Sequence, residues 1–326
     1  MCTAISFKTE NHYFGRNLDL EYSYDERVTI TPRNYIFKCR RLSTMESHFA
    51  IIGMAYNMNG YPLYFDGMNE HGLAMAGLNF PGNAYYGSEM IGKQNIAPFE
   101  LIPVVLGSCK NLEEARELAG KTNMVDINFS EELPNTPLHW MISDKTGSLV
   151  IESTREGLKV YDNPVGVLTN NPDFDKQYFN LNNYIRISPY QPVNGFAKGL
   201  ELFKYSNGMG AMGLPGDYSS QSRFVKAAYV KLNSICESDE KKSISQFFHI
   251  LSSVEQPRGS VHVSDGSYEL TSYSCCCNTD KGIYYYRTYE NSRITAIDMN
   301  KEALNGSEIV SYRLRNDQDI LFESQR

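Results

Sequence analysis

Residues 1–20 read MCTAISFKTENHYFGRNLDL, and their pattern is that of a β-hairpin. The segments CTAISF (2–7) and HYFGRNLD (12–19) are rich in aromatic and β-branched residues, and the polar KTEN between them supplies the turn. Such a hairpin sets Cys2 on one strand beside Arg16, Asn17 and Asp19 on the other. Alternation along the second strand sends Asn17 and Asp19 to one face and Arg16 to the opposite one, unless Gly15 opens a bulge.

Outward from the hairpin, residues 138–144, 149–153, 158–161 and 165–169 read as a meander punctuated by DKTG, REG and DNP. A second meander is expected near the carboxyl end, in 268–277, 283–289, 293–298 and 309–314. Helical signals lie between. Asn111 with Glu114 three residues on suggests a capping box, and LEEARELAG ends on Gly120, a residue suited to a left-handed helix end. Residues 219–232 set Phe224, Ala227, Ala228 and Leu232 on one helical face, and 243–254 do the same with Ile244, Phe247, Phe248 and Leu251. Strands, helices and strands again, without βαβ alternation, predict an α+β protein with a mostly antiparallel sheet system and helices outside it.

With 326 residues and 41% hydrophobic content the chain can bury a large core, and the absence of a linker-like stretch favours one domain over 1–326. A formal charge of -7 with scattered Lys and Arg excludes a nucleic-acid surface. The amino terminus lacks a basic region followed by an apolar one, and no run of 18 apolar residues occurs, so a cytoplasmic protein without membrane insertion is expected. Six of the seven cysteines (39, 109, 236 and the run 275–277) read as buried, reduced thiols.

The spacing of Gly208, Gly210 and Gly213 matches GxGxxG, but the third glycine runs into Leu214, Pro215 and Gly216 where a phosphate site needs a helix start, so a loop is the better reading. The six histidines have no paired ligand spacing and imply no metal. Cys2 stands apart because of its position. Removal of Met1 would leave one residue with both a thiol and a free α-amine. Their unperturbed pKa values, roughly 8.5 and about 7.7–8.0, let the amine accept the nucleophile's proton near neutral pH. Asp19, if buried, could hold the ammonium, and the Arg16 guanidinium could favour the thiolate, although these two could equally form a structural ion pair.

The segments MCTAISF, YFGRNLDLEYSY, GLAMAGLNFPG, LHWMISD, GVLTNNPDFD and GLPGDYSSQSRFV, in this order from Cys2 to about residue 300, resemble the choloylglycine hydrolase family. That family comprises N-terminal nucleophile (Ntn) amidases, among them bile salt hydrolases and penicillin V acylases. The resemblance implies a four-layer αββα Ntn-hydrolase sandwich of two antiparallel sheets. It also implies catalytic roles for Cys2, Arg16 and Asp19, and adds Asn79, Asn170 and Arg223. Without it the two asparagines read as turn residues. No cofactor is implied, because the amine and water can carry every proton.

By resemblance the substrate is a glycine- or taurine-conjugated bile acid, since AGLNF is the bile salt hydrolase version of its segment. The pocket residues implied are Leu18, Met58, Phe65, Phe129, Leu133 and Leu138; each also reads as ordinary core. The alternatives are a penicillin V acylase or N-acyl homoserine lactone acylase of the same superfamily and, from another class, an inactive bile-acid-binding protein. A homotetramer is implied by resemblance alone.

Overall fold

The computed structural model describes residues 1–263 and 266–325. In chain order the strands are β1 (Cys2–Lys8), β2 (His12–Leu20), β3 (Arg27–Thr31), β4 (Ile51–Met58), β5 (Tyr61–Asn69), β6 (Ala74–Asn79), β7 (Gln94–Ile96), β8 (Thr122–Met124), β9 (Leu138–Asp144), β10 (Gly147–Thr154), β11 (Gly157–Asp162), β12 (Val167–Leu168), β13 (Val261–His262), β14 (Tyr268–Asn278), β15 (Ile283–Thr288), β16 (Thr295–Asp298) and β17 (Val310–Arg313). The helices are α1 (Leu101–Ser108), α2 (Leu112–Lys121), α3 (Phe174–Asn180), α4 (Ser220–Leu232) and α5 (Glu240–Ser252).

One antiparallel sheet runs β12-β1-β2-β14-β15-β16, with β13 paired to β14; a second runs β11-β10-β9-β6-β5-β4-β3-β17. The two lie face to face, with β1 and β2 against β5 and β6. Helices α4 and α5 cover the outer side of the first sheet, and α1 and α2 that of the second. This is the αββα order. Ile5, Met54, Met68, Met141, Phe224 and Phe247 belong to a buried cluster spanning the first sheet, its helices and the inner side of the second. Met75, Trp140, Ile142, Leu101 and Leu106 belong to another beneath α1 and α2.

The first hairpin forms over the expected residues, and so do the first three strands of each meander. Their last members do not join them. β12 crosses to pair with β1, and β17 pairs with β3, because each completes an edge of the sheet facing its own meander's remainder. Strands β3 to β6 and helices α1 and α3 had no counterpart in the sequence reading. Asn111 caps α2 by accepting from the Glu114 amide at 3.0 Å, but Glu114 returns to the Lys110 amide, and α2 continues through Gly120 to Lys121. The α4 cap is Ser219, and α5 begins earlier than expected, at Glu240, capped by Asp239. Leu232, the last residue of α4, is exposed. Gly208, Gly210 and Gly213 lie in a loop before α4. Cys39 and Cys236 are half-buried; the other five cysteines are buried, and all seven are free.

Candidate active site

The β1–β2 register pairs Cys2 with Leu18, Thr3 with Asn17 and Ala4 with Arg16. Residues opposite one another in an antiparallel ladder share a face, so Cys2 and Arg16 project together, while Thr3, Asn17 and Asp19 project toward the helices. Gly15 opens no bulge against β1; the irregularity in β2 lies on its other side, between Thr271 and Tyr273 of β14. A glycine is needed at 15 for closeness: a Cβ there would sit 2.0 Å from the Cys275 carbonyl oxygen.

Helix α4 delivers Arg223 to the outer side of β1. Its Nη1 donates to the Cys2 carbonyl at 2.5 Å and to Thr3 Oγ1 at 2.7 Å, its Nη2 to Asn170 Oδ1 at 2.7 Å, and its Nε to the Tyr218 carbonyl at 2.9 Å. Asn170 follows β12, whose pairing with β1 brings it beside Cys2. Its Oδ1 accepts from the Cys2 nitrogen at 2.9 Å, and its Nδ2 donates to the Asn79 carbonyl at 2.7 Å. The nitrogen and the carbonyl of Cys2 are therefore both held, one by Asn170 and the other by Arg223.

Asp19 is fully buried behind this layer. Thr271 Oγ1 donates to its carboxylate at 2.5 Å and Gln256 Nε2 at 3.3 Å, and Arg223 Nη1 lies 3.9 Å away. Burial raises the Asp19 pKa against the pull of Arg223, and burial lowers that of Arg223 against the pull of Asp19 and Cys2. In both, desolvation outweighs attraction. The Asp19 backbone accepts from the Met1 ammonium at 2.8 Å and donates to the Met1 carbonyl at 2.9 Å. The same ammonium pairs with Glu269, and burial lowers its pKa although Cys2 and Asp19 oppose the shift.

Arg16 reaches between the sheets, where Nη1 donates to the Phe65 carbonyl at 3.1 Å and to that of Gly77 at 2.5 Å. Its Nη2 has no protein partner among the described residues. Burial works against its charge but is outweighed by Cys2, Tyr273, Asp66 and Cys275, so its pKa rises.

A cavity of about 530 Å³ opens from Cys2 and Arg16. Leu18, Phe65, Phe129, Leu133 and Leu138 line it. Met58 does not: it ends β4 beyond Tyr56, the residue of that strand that faces the cavity. Asn79 lines it too, with its side chain in no hydrogen bond to another described residue. Tyr24, Phe99 and Trp140 in the wall, and Thr3, Gln256 and Thr271 behind Cys2 and Asp19, were absent from the sequence reading. Thr271 could have been found only from register, since β14 sets it opposite Asp19. Among the described residues no cluster of His, Cys, Asp and Glu could hold a metal ion.

Residues 2–312 match the family model of linear amide C-N hydrolases, choloylglycine hydrolase family. A bile salt hydrolase/transferase of Lactiplantibacillus plantarum is 56% identical, with 97% of this chain and 98% of that one covered. A bile salt hydrolase/transferase of Clostridium perfringens is 44% identical, with 96% and 97% covered. The crystal structure of a mutant conjugated bile acid hydrolase from Clostridium perfringens superposes with a TM-score of 0.91 at 43% identity, covering 99% of this chain and 100% of the other. The chain, with its nearly full-length match and its shared αββα architecture, belongs to the choloylglycine hydrolase family of linear amide C-N hydrolases.

Proposed function

We propose that the protein is a bile salt hydrolase in which Cys2, freed of Met1, cleaves the amide of glycine- or taurine-conjugated bile acids. The observation that carries this reading is the clamp on the Cys2 backbone, whose nitrogen is held by Asn170 and whose carbonyl is held by Arg223, beside the cavity. With Met1 in place that nitrogen is a peptide N–H and cannot act as a base. Once Met1 is removed it becomes an amine with a lone pair, on the residue that carries the nucleophile.

The amine takes the thiol proton and sulfur adds to the amide carbon. Negative charge develops on the carbonyl oxygen, where the Asn79 side-chain amide can donate; one such donor contributes roughly 3 to 4 kcal/mol to the barrier reduction. The C–N bond then breaks as the ammonium protonates the departing nitrogen, leaving a thioester and the free amino acid. Water, deprotonated by the same amine, hydrolyses the thioester and regenerates the thiol. Asp19 and Arg223 hold the layer beneath Cys2, and Arg16 adds positive charge on the thiol's own side.

The names of the relatives and the apolar wall of Leu18, Phe65, Phe129, Leu133 and Leu138 support a steroid acyl group. The cavity falls within the roughly 300 to 1,000 Å³ usual for small-molecule sites. Glycocholate, penicillin V and an N-acyl homoserine lactone at equal concentration, each with unmutated protein, C2A and C2S, test the assignment. Free cholate should appear only from unmutated protein and glycocholate. Preferential cleavage of another amide would replace the substrate, and turnover by C2A would remove the mechanism.

The proposal extends to a homotetramer in the cytoplasm. Ile185, Tyr190, Val193, Phe196, Phe203 and Tyr205 are exposed along one segment, and clustered apolar side chains of this kind mark surfaces that pair with another chain. Among the described residues no helix is long and apolar enough to cross a membrane.

A further inference from the structure

Behind the two asparagines of the site lies a pair of ionisable residues for which the proposed mechanism has no use. His139 on β9 and Glu152 on β10 are fully buried, with Nδ1 of the ring 3.0 Å from Glu152 Oε1. The other ring nitrogen, Nε2, lies 2.8 Å from the Thr169 carbonyl, and Thr169 precedes Asn170. Phe80, which follows Asn79, stacks on the imidazole with centroids 4.2 Å apart and planes 7° from parallel. The ring thus touches the immediate neighbour of each asparagine, and the two are themselves joined by the bond from Asn170 Nδ2 to the Asn79 carbonyl.

The hydrogen count within the pair is constrained. A carbonyl oxygen only accepts, so Nε2 carries a hydrogen for Thr169. Oε1 also accepts from the Phe174 amide at 3.0 Å, and one further hydrogen must lie between it and Nδ1. Wherever that hydrogen rests, the pair is neutral as a whole, which is how two ionisable groups can stay out of water without an unbalanced charge. Glu152 thereby ties the first turn of α3 to the ring. From α3, Gln177 Nε2 donates to the Asn170 carbonyl at 2.6 Å, and Gln177 Oε1 accepts from Thr169 Oγ1 at 2.7 Å.

We propose that the His139–Glu152 pair is a positioning unit that holds Asn170 and Asn79 at their working distance from Cys2, so that the turnover step depends on it. The inference rests on the roles given to the asparagines above. Glu152→Gln keeps the size of the side chain but not the hydrogen count. With its amide oxygen toward the ring, Nδ1 and Nε2 need two hydrogens and the ring becomes an unbalanced cation; with its NH2 toward the ring, that group meets the Phe174 N–H. Either way one contact fails. Phe80→Leu exchanges one apolar side chain for another and removes only the stacked face.

The test measures kcat and KM on whichever amide of the substrate panel the unmutated protein cleaves, with circular dichroism to check folding. Cys2 alkylation by iodoacetamide serves as a separate measure of the thiol. E152Q should lower kcat at least tenfold and F80L at least threefold, with KM and the alkylation rate within twofold of the unmutated protein. A kcat within twofold for F80L and for folded E152Q overturns the proposal, as does a KM that rises by the factor kcat falls. If E152Q fails to fold, F80L alone decides. A protein that cleaves another panel amide in place of glycocholate corrects the substrate and leaves the positioning test intact, while absence of turnover on every amide overturns both.

Discussion

Arg223 is a buried guanidinium whose fork has a partner in every direction: the Cys2 carbonyl, Thr3, Asn170 and the Tyr218 carbonyl, with Asp19 close by. Lysine presents a point charge and cannot span these acceptors. R223K should therefore fold, lower kcat on glycocholate by a factor of about 100, and leave KM nearly unchanged. R223M should instead leave Asp19 as an unpaired buried carboxylate and destabilise the fold by about 3 to 5 kcal/mol, read by urea unfolding. A second residue carries a pH signature. His12 is buried among Ser6, Ser143 and Thr279, and burial lowers its pKa to about 4 against the opposing charges of Asp144 and Asp280. The unfolded chain takes up this proton first as pH falls through 6.5, so the contribution of His12 is complete above 6.5 and is lost on the way to about 4. Its full size is about 3 kcal/mol, and H12Q should lose that much less unfolding free energy than the unmutated protein between pH 7 and pH 4. At this scale the sequence was informative where chemistry is tied to position. Cys2, Arg16 and Asp19 stand out in the first hairpin, whereas Asn79 and Asn170 read locally as turn residues. What distinguishes them is a contact across 91 residues of chain, which no local pattern encodes.

Sheet strands placed the site, and their legibility followed the turn signals that bound them, since β2 is as buried as any strand that was missed. β1, β2 and the meander strands are bounded by clear turns and were readable. Strands β3 to β6 were not, because stretches such as Ile51–Met58 are buried on both faces over most of their length and show no alternation to separate strand from helix. Helix α1 was hidden for the same reason, since it is apolar all round and carries Pro103. Pairing partners were beyond reach: nothing in 165–169 says that β12 leaves its meander for β1, yet that crossing puts Asn170 at the nucleophile. The β2–β14 contact supplies a test at this scale. G15A should lower stability by several kcal/mol and depress the melting temperature, because the added methyl meets backbone that cannot turn aside. A melting temperature unchanged by G15A would show that the two strands are less closely apposed. The cavity wall supplies another. Phe129 sits on the segment between β8 and β9, packed against Tyr61 and Phe99 and beneath the Arg40 guanidinium. F129A should raise KM for glycocholate roughly tenfold while leaving kcat within about threefold, since the lost area binds ground state and transition state alike.

For the molecule as a whole, the two sheets and their helices form the frame that brings an amino-terminal cysteine, the asparagine that ends β6, the asparagine after β12 and a helical arginine to one point. The apolar segment containing Tyr190, Phe196 and Phe203 lies outside that frame. If it is buried between copies, F196D/F203D should convert the proposed tetramer to smaller species in light scattering, with the far-ultraviolet dichroism retained. The central claim concerns the amino terminus, where the amine and thiol of a single residue share the chemistry. Its most direct test is to prepare the protein with graded amounts of Met1 retained, measure the processed fraction by intact mass, and plot it against the initial rate of cholate release from glycocholate. The account predicts a straight line through the origin. Turnover by chains that still carry Met1, seen as a positive intercept, would contradict it.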